Sequence, residues 1–420
     1  MIATSVIPLP SWMVAPGVKT ILDALSHDGI PARFVGGCVR DTIADLPVSD
    51  IDVATPLTPK DIITRLEAKG LRAIPTGIDH GTITAIAGRG DNITKIEVTT
   101  LRVDTETDGR YAKVEFTTDW LGDAARRDFT FNALYCDPDG TLYDAFDGQK
   151  DLREGRVRFI GRASDRITED RLRILRFFRF YARFGKLPPD TEALSACTAA
   201  AAQISLLSGE RVRDEILKLL QGPRAPEVIR LMSSAGILRH TLEFATNFDR
   251  LDRLCDIETT LHQTSAIRRL AALLPDNDVQ VLTIIAERLR LSNAEALRLK
   301  AALTEKQLWP TPILTPAAYQ ARLYRWGDEI FIDRLLLAFA DKVVSQTDNL
   351  AWRNLYHAAQ KFNPPVFPLK GKDALALGLQ GPDIGKALRA VEDWWILEQF
   401  IPGYDACLIE LERFVLVTKP

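Results

Sequence analysis

Cysteine is sparse in this chain and never paired. Cys38, Cys136, Cys197, Cys255 and Cys407 are scattered, with no CxxC spacing. That excludes a disulfide framework and a cysteine zinc site, and it suits a reducing cytosol. Long apolar runs are also missing. None approaches the ~18 residues of a membrane-spanning helix, so no membrane partner is expected. The N-terminal stretch MIATSVIPLPSWMVAPG has no basic leader and holds three prolines, which predicts no secretory signal and a cytoplasmic protein. An overall excess of positive charge is absent as well, the formal net charge being −3. Nucleic-acid binders are often basic as a whole. Here the basic charge is local instead: seven arginines fall between Arg162 and Arg183, a stripe able to follow a phosphate backbone.

What is present is concentrated in residues 36–52, GGCVRDTIADLPVSDID. Gly36-Gly37 can bring backbone N–H groups close to a phosphate, and Arg40 can hold one from the side. On a β-strand, Asp50 and Asp52 would point to the same face. Two neighbouring carboxylates repel each other, and a divalent cation relieves that repulsion. A bare DxD is more often a surface pair, but the GG-x-x-R before it favours metal-bound triphosphate chemistry. In two-metal phosphoryl transfer such ligands activate the attacking hydroxyl and stabilise the leaving pyrophosphate. Glu97, in KIEVTT, is a candidate third carboxylate; an outward-facing strand glutamate is an equal reading.

The patterning divides the chain in two. Up to about residue 150, short alternating runs (ARFVGG, DIDVAT, HGTITAIAG, NITKIEVTTLRV, TLYDAFDG) and RVRFIG read as strands, and Pro59–Gly70 as a helix. A hairpin is expected around Gly88–Asn92. This is an α+β unit. After residue 165 helical periods take over, at 168–185, 190–202, 208–221, 225–235, 247–263, 278–290, 292–306, 315–325, 328–346, 348–361 and 383–399, separated by proline-rich breaks. The expectation is an α+β head followed by an extended all-α remainder.

Two further segments carry chemistry. In RRDFTFNA (126–133) an RD dipeptide is commonly a surface ion pair. Here it opens an apolar run, which would hold Arg127 at a cleft wall, braced by the adjacent Asp128 as a rigid donor for a triphosphate or ribose. In EDRLRILRFFRF (169–180) the residues Asp170, Arg173, Arg176 and Arg179 form an i, i+3 row on one expected helix. A solvated charged face is one reading; base recognition is the other. An Asp accepts from an exocyclic amino group and an Arg donates to a ring nitrogen or carbonyl. One such pair would accept cytosine and adenine and reject uracil and guanine, whose mismatched polar groups would be buried unpaired.

GGCVRD, DID, RRDFTFNA and EDRLR, in this order, resemble the class II nucleotidyltransferases: the bacterial tRNA CCA-adding enzymes and their poly(A) polymerase relatives. TGIDHGTITAI (76–86), VRFIG (157–161), GERVRDEILKLL (209–220) and PLKGKDALALGLQGPDIGKAL (368–388) extend the likeness over nearly the whole chain. The resemblance implies a polymerase-β-like nucleotidyltransferase head at 1–155. It implies a neck with the nucleotide-selecting helix at 156–224, a body at 225–346 and a tRNA-binding tail at 347–420. It further implies that Gly36, Gly37 and Arg40 bind the triphosphate, that Asp50 and Asp52 bind Mg2+ and are catalytic, and that Arg127 contacts nucleotide. Asp170 and Arg173 would pair with the incoming base, and Arg176 and Arg179 would contact phosphates or place the base. Arg102–Lys113 would be the flexible loop of the C-to-A switch.

The implied activity is addition of C, C and A to the tRNA 3′ end from CTP and ATP, with pyrophosphate released. PTGIDHGTITAI stands where poly(A) polymerases of the family carry a basic G-R-R-F-like segment, which favours CCA over poly(A) addition. A non-catalytic RNA-binding protein is the alternative of another class. The family's fused phosphohydrolase domain is not expected, since the five histidines are dispersed. Trp394-Trp395 is expected to pack rather than to stack on bases. Lys370, Lys372, Lys386 and Arg389 are candidates for the tRNA elbow.

Overall fold

The computed structural model describes residues 1–108, 111–186, 188–342 and 346–418. The chain forms two compact units, Met1–Glu243 and Phe244–Pro420.

The first unit is built on an eight-stranded mixed sheet of order β1-β10-β9-β2-β3-β6-β5-β4. Its strands are β1 (Ala3–Val6), β2 (Arg33–Val35), β3 (Asp52–Thr55), β4 (Arg72–Gly77), β5 (Thr82–Ala87), β6 (Thr94–Thr100), β9 (Leu134–Cys136) and β10 (Thr141–Asp144). The pairing of β3 with β6 is parallel and sets Asp52 beside Glu97. β5 and β6 pair antiparallel across the Gly88–Asn92 region, as their alternation predicts. β7 (Arg102–Asp108) and β8 (Tyr111–Phe116) form a separate two-stranded ribbon. Residues 109–110, within the expected flexible loop Arg102–Lys113, lie outside the described residues.

One face of the sheet is covered by α1 (Pro16–Leu25) and α3 (Pro59–Ala68). Val18, Ile21, Leu22, Leu25, Ile62 and Leu66 from these helices join Phe34, Val53, Ile83, Ile96 and Val98 from the strands in one buried core. The spacing of these apolar positions is that of a helix stripe laid on a pleated surface. Between β2 and the next helix, α2 (Gly37–Ile43), the chain turns at Gly36, whose φ is 70° and ψ −119°. Side-chain-bearing residues rarely adopt that conformation, so glycine is needed there.

VRFIG does not form a strand; Phe159 makes only an isolated bridge to Phe129. Its apolar residues instead feed an aromatic cluster of Phe129, Phe131, Phe159, Phe177, Phe180 and Phe184, with ring centroids 4.7–6.2 Å apart. Such contacts add to area burial. They lock RRDFTFNA to the helix that follows the head. α4 (Trp120–Ala125) and α5 (Gly148–Glu154) flank this region.

The expected single helix over 168–185 is two. α6 (Ala163–Glu169) ends before Asp170, whose backbone is extended (φ −147°, ψ 108°), and α7 (Leu172–Phe184) starts afresh. The Asp170 carboxylate accepts the Leu172 N–H at 3.1 Å, capping the new helix instead of continuing the old one. Ile174, Leu175, Phe177, Phe178, Tyr181 and Ala182 bury one side of α7. That leaves Arg173, Arg176 and Arg179 in a row along the cleft described below. α7 stops at Gly185, where a Cβ would sit 2.3 Å from the Tyr181 ring. α8 (Thr191–Ala199), α9 (Gly209–Leu220) and α10 (Ala225–Ser234) complete the unit, with α9 and α10 packed on α7.

The second unit is helical, with no strand among its described residues. Ala266–Leu273, Gly371–Ala376 and Tyr404–Thr418 are helices there that the sequence periods do not bring out. Glu258 and Asp333, both fully buried, are held by Arg268, Arg269 and Arg298 at 2.5–3.0 Å. Buried carboxylates persist only when paired in this way. Trp395 packs against Tyr324, Phe367 and Phe400 and donates its indole N–H to Pro402 O at 2.9 Å. It is a core residue, as expected.

Candidate active site

The separated motifs meet in the first unit, in a cleft of two adjoining lobes. One lobe, about 500 Å³, is lined by Gly36, Gly37, Arg40, Asp52, Arg127, Asp170, Arg173, Arg176 and Arg179, with Arg126, Asp128, Asn132, Phe180 and Arg211 among the other residues. The second, about 460 Å³, shares Gly37, Arg40, Asp52, Arg179 and Phe180 and adds Asp50, Arg183 and Lys218. Every expected site residue therefore borders one cleft, although 143 positions separate Gly36 from Arg179.

Asp52 opens β3 and Asp50 lies two residues before it, outside the strand. Asp50 is exposed and accepts the Ser49 hydroxyl at 2.8 Å. The Asp52 carboxyl is pushed up to about 6, first by burial and then by Glu97, with Asp50 adding to the effect; Arg127 and Arg40 oppose it. Crowded carboxylates with only distant cations are the electrostatic condition a divalent cation relieves. Glu97 is exposed beside Asp52. Among the described residues it is not gathered with the two aspartates into a cage of three or more acidic or metal-ligating side chains. Mg2+ does not require such a cage. It retains water and is commonly held by one or two carboxylates plus substrate phosphates, so the two aspartates fit it.

The arginines are fixed in place. Arg40 donates to Asp41 at 2.7 Å and to Asn132 Oδ1 at 2.6 Å, and its guanidinium lies 5.1 Å from the rings of both Phe180 and Phe184. Arg127 is braced by Asp123, one helical turn upstream, at 3.1 Å, and donates to the Tyr135 hydroxyl at 3.2 Å. The expected brace, Asp128, does something else. It accepts from Arg176 Nε at 2.6 Å and from the Asn132 amide at 2.9 Å. The reason is local: Arg127 follows α4 and points back along it, where Asp123 stands at the i, i+4 distance. Tyr135 also donates to Asp123, at 2.5 Å. Burial alone would raise the Asp123 carboxyl, but Arg127, Arg126 and the Tyr135 hydrogen bond hold it far below the usual carboxylate range. Burial likewise favours neutral Asp128, yet Arg176 and the Asn132 hydrogen bond bring it down to about 2.

Asp170, Arg173 and Arg179 are equally engaged. Arg173 is held by Glu169 at 2.5 Å and by the carbonyls of Arg166 and Arg126 at 3.1 and 2.9 Å. Asp170 accepts from Arg211 at 2.9 and 3.1 Å. Arg179 pairs with buried Glu215 at 2.7 Å. Burial lowers the Arg179 guanidinium to about 10 against the pull of Glu215, with Arg176 and Arg40 assisting. It remains a cation at neutral pH and borders both lobes. Sequence reading missed Asp123, Asn132, Tyr135, Glu215 and Arg211 as site partners. Two signals were present: the i, i+4 spacing of Asp123 to Arg127, and an Asp two residues before an apolar period, which marks a helix start at Asp170.

Comparison with known proteins accords with this geometry. Residues 32–158 match the poly A polymerase head domain, and residues 187–248 the probable RNA and SrmB-binding site of polymerase A. The chain is 33% identical to the mitochondrial CCA tRNA nucleotidyltransferase 1 of Danio rerio, covering 94% of this chain and 90% of that protein. It is 32% identical to the CCA-adding enzyme of Latilactobacillus sakei subsp. sakei, covering 94% and 96%. This chain belongs to the CCA-adding tRNA nucleotidyltransferase family. The crystal structure of the Bacillus stearothermophilus CCA-adding enzyme in complex with CTP superimposes with a TM-score of 0.73 at 25% identity, covering 94% of this chain and 96% of that one. The family's α/β head followed by helices is the architecture found here. No helix among the described residues is long and apolar enough to cross a membrane.

Proposed function

We infer that this chain is a tRNA nucleotidyltransferase that adds C, C and A to the tRNA 3′ end from CTP and ATP, releasing pyrophosphate. The observation that carries the reading is the convergence of Gly37, Asp52, Arg127, Asp170, Arg173 and Arg176 on one 500 Å³ lobe. A triphosphate lies against the Gly36-Gly37 turn, with Arg40 and Arg127 as its fixed cations. Asp50 and Asp52 would hold Mg2+, which when bound would supply activation of the RNA 3′ hydroxyl and charge stabilisation for the departing pyrophosphate. The base faces Asp170 and Arg173, and their acceptor and donor select C and A. Arg176 and Arg179 complete the wall and attract phosphate. Residues 1–155 then do the chemistry, 156–224 select the nucleotide, and 225–346 and 347–420 hold the tRNA by shape and backbone charge, with Lys370, Lys372, Lys386 and Arg389 as candidate phosphate contacts. Cytoplasmic action follows from the same reading.

The test uses tRNA lacking its 3′ end, Mg2+ and either CTP plus ATP or ATP alone. Addition that stops after three nucleotides supports the reading. Long A tails would assign poly(A) polymerase activity instead. Absence of incorporation, unchanged in Asp50→Ala, would point to a protein that only binds RNA.

A further inference from the structure

The Asp170 carboxylate has less capacity to accept hydrogen bonds than a free one. A carboxylate offers about four lone-pair sites. Arg211, on the first turn of α9, sets its Nη2 between the two oxygens, 3.1 Å from Oδ1 and 2.9 Å from Oδ2. It thereby fills the fork in which both oxygens could act together. The Leu172 N–H takes a further site on Oδ1 at 3.1 Å. One site remains, on Oδ2. Asp170 and Arg211 line the same lobe, and each side chain is 27% exposed.

This count bears on which bases Asp170 can pair with. The amino group of cytosine or adenine needs one acceptor. Guanine, through its N1–H and N2–H groups, presents two parallel donors that match the fork of a free carboxylate. An aspartate alone would therefore be a good guanine receptor, and its presence does not by itself explain rejection of guanine. We propose that Arg211 is a positioning residue for base selection: by occupying the fork of Asp170 it leaves a single acceptor for the amino group of C or A and denies guanine its bidentate partner. The proposal rests on the proposed function above and deepens it. Arg211 acts through Asp170 and is assigned no contact with substrate. The residue lies in GERVRDEILKLL, about forty positions after the aspartate it restrains, and α7–α9 packing brings the two together.

The test measures kcat/KM for CTP, ATP, GTP and UTP on tRNA lacking its 3′ end, for the full chain and for Arg211→Met and Arg211→Lys. In Arg211→Met the GTP-to-CTP ratio is expected to rise by about tenfold or more, the worth of roughly one regained hydrogen bond. The UTP-to-CTP ratio is expected to rise less, because uracil has a single ring N–H to offer. Arg211→Lys keeps the charge but not the planar fork and gives an intermediate ratio; it carries the test alone if the methionine variant does not fold. Equal losses for all four nucleotides would mean that Arg211 touches the substrate or only supports the fold, and would overturn the proposal. So would a GTP-to-CTP ratio unchanged in both variants. The unsubstituted chain separates the two readings. If it adds C, C and A while the ratios stay fixed, only the role of Arg211 fails; if it adds nothing, the function fails and the role with it.

Discussion

The two halves of the cleft handle charge in opposite ways. On the side proposed for the reaction, Asp52 feels the charges of both Glu97 and Asp50, and none of the three is ion-paired among the described residues. Asp52 feels Arg127 and Arg40 only at a distance, and its carboxyl is pushed up to about 6. On the side proposed for selection the charges are ion-paired: Asp170 with Arg211, Arg173 with Glu169, Arg176 with Asp128, Arg179 with Glu215. A half left uncompensated is completed by what binds there. A half already ion-paired is held in place before anything binds, and a fixed set of donors and acceptors discriminates because it does not adapt to the wrong partner.

The comparison can be broken most forcefully at Asp52. Asp52→Ala is expected to lower incorporation of CMP and AMP alike by roughly 10³-fold or more. Circular dichroism and the melting temperature should be unchanged or slightly improved, since a repelling carboxylate has gone. A melting temperature that falls sharply would mean that Asp52 supports the fold, and the contrast would fail.

Asp128→Ala comes next and attacks the satisfied half. It is buried and joins Arg176 to Asn132, which in turn holds Arg40. Removing one partner from a buried charged pair costs about 3–5 kcal/mol, so chemical denaturation should show a loss of that order. A smaller effect is expected from Asp123→Asn, which loosens Arg127. KM should rise about tenfold for CTP and ATP together, the worth of roughly 1.4 kcal/mol, with the ratio between them unchanged. A change confined to one nucleotide would move Arg127 to the selecting side.

The smallest effect is a pH dependence in metal-free protein. The folded Asp52 carboxyl titrates near 6 against an ordinary value of 3.8. The folded state therefore binds the proton more tightly, and Asp52 contributes stability at low pH that is lost as pH rises from about 4 through 6. Denaturation midpoints of the metal-free chain and of Asp52→Asn, followed across that window, should diverge, the parent losing stability relative to the variant. Parallel curves would show that Asp52 is not crowded in the way described.

Much of this was legible in the sequence, and the part that was not has physical causes. Short-range patterns carried through: the glycine turn, the β5–β6 hairpin, Asp52 on a strand and the arginine row. The two-residue break at Asp170 was hidden because the apolar period of α6 runs almost in phase with that of α7. VRFIG has strand-forming residues, but the aromatic cluster claims Phe159. The partners that hold the site, Asp123, Asn132, Glu215 and Arg211, arrive through packing. Asp123 and Arg127 are close in sequence, yet the adjacent Asp128 was the more obvious brace. Arg211 reaches Asp170 only because α9 lies on α7, a contact that composition and spacing do not encode.

On the proposed function, rate and choice reside in separate halves of one cleft. The most direct measurement of that division is the set of kcat/KM values for all four nucleoside triphosphates in Asp52→Asn and in Arg173→Ala. Asp52→Asn is expected to depress CTP and ATP use by one common factor, with GTP and UTP still excluded. Arg173→Ala is expected to narrow the gap between C or A and U or G. Continued full exclusion of U and G in Arg173→Ala, or altered base preference in Asp52→Asn, would contradict that division.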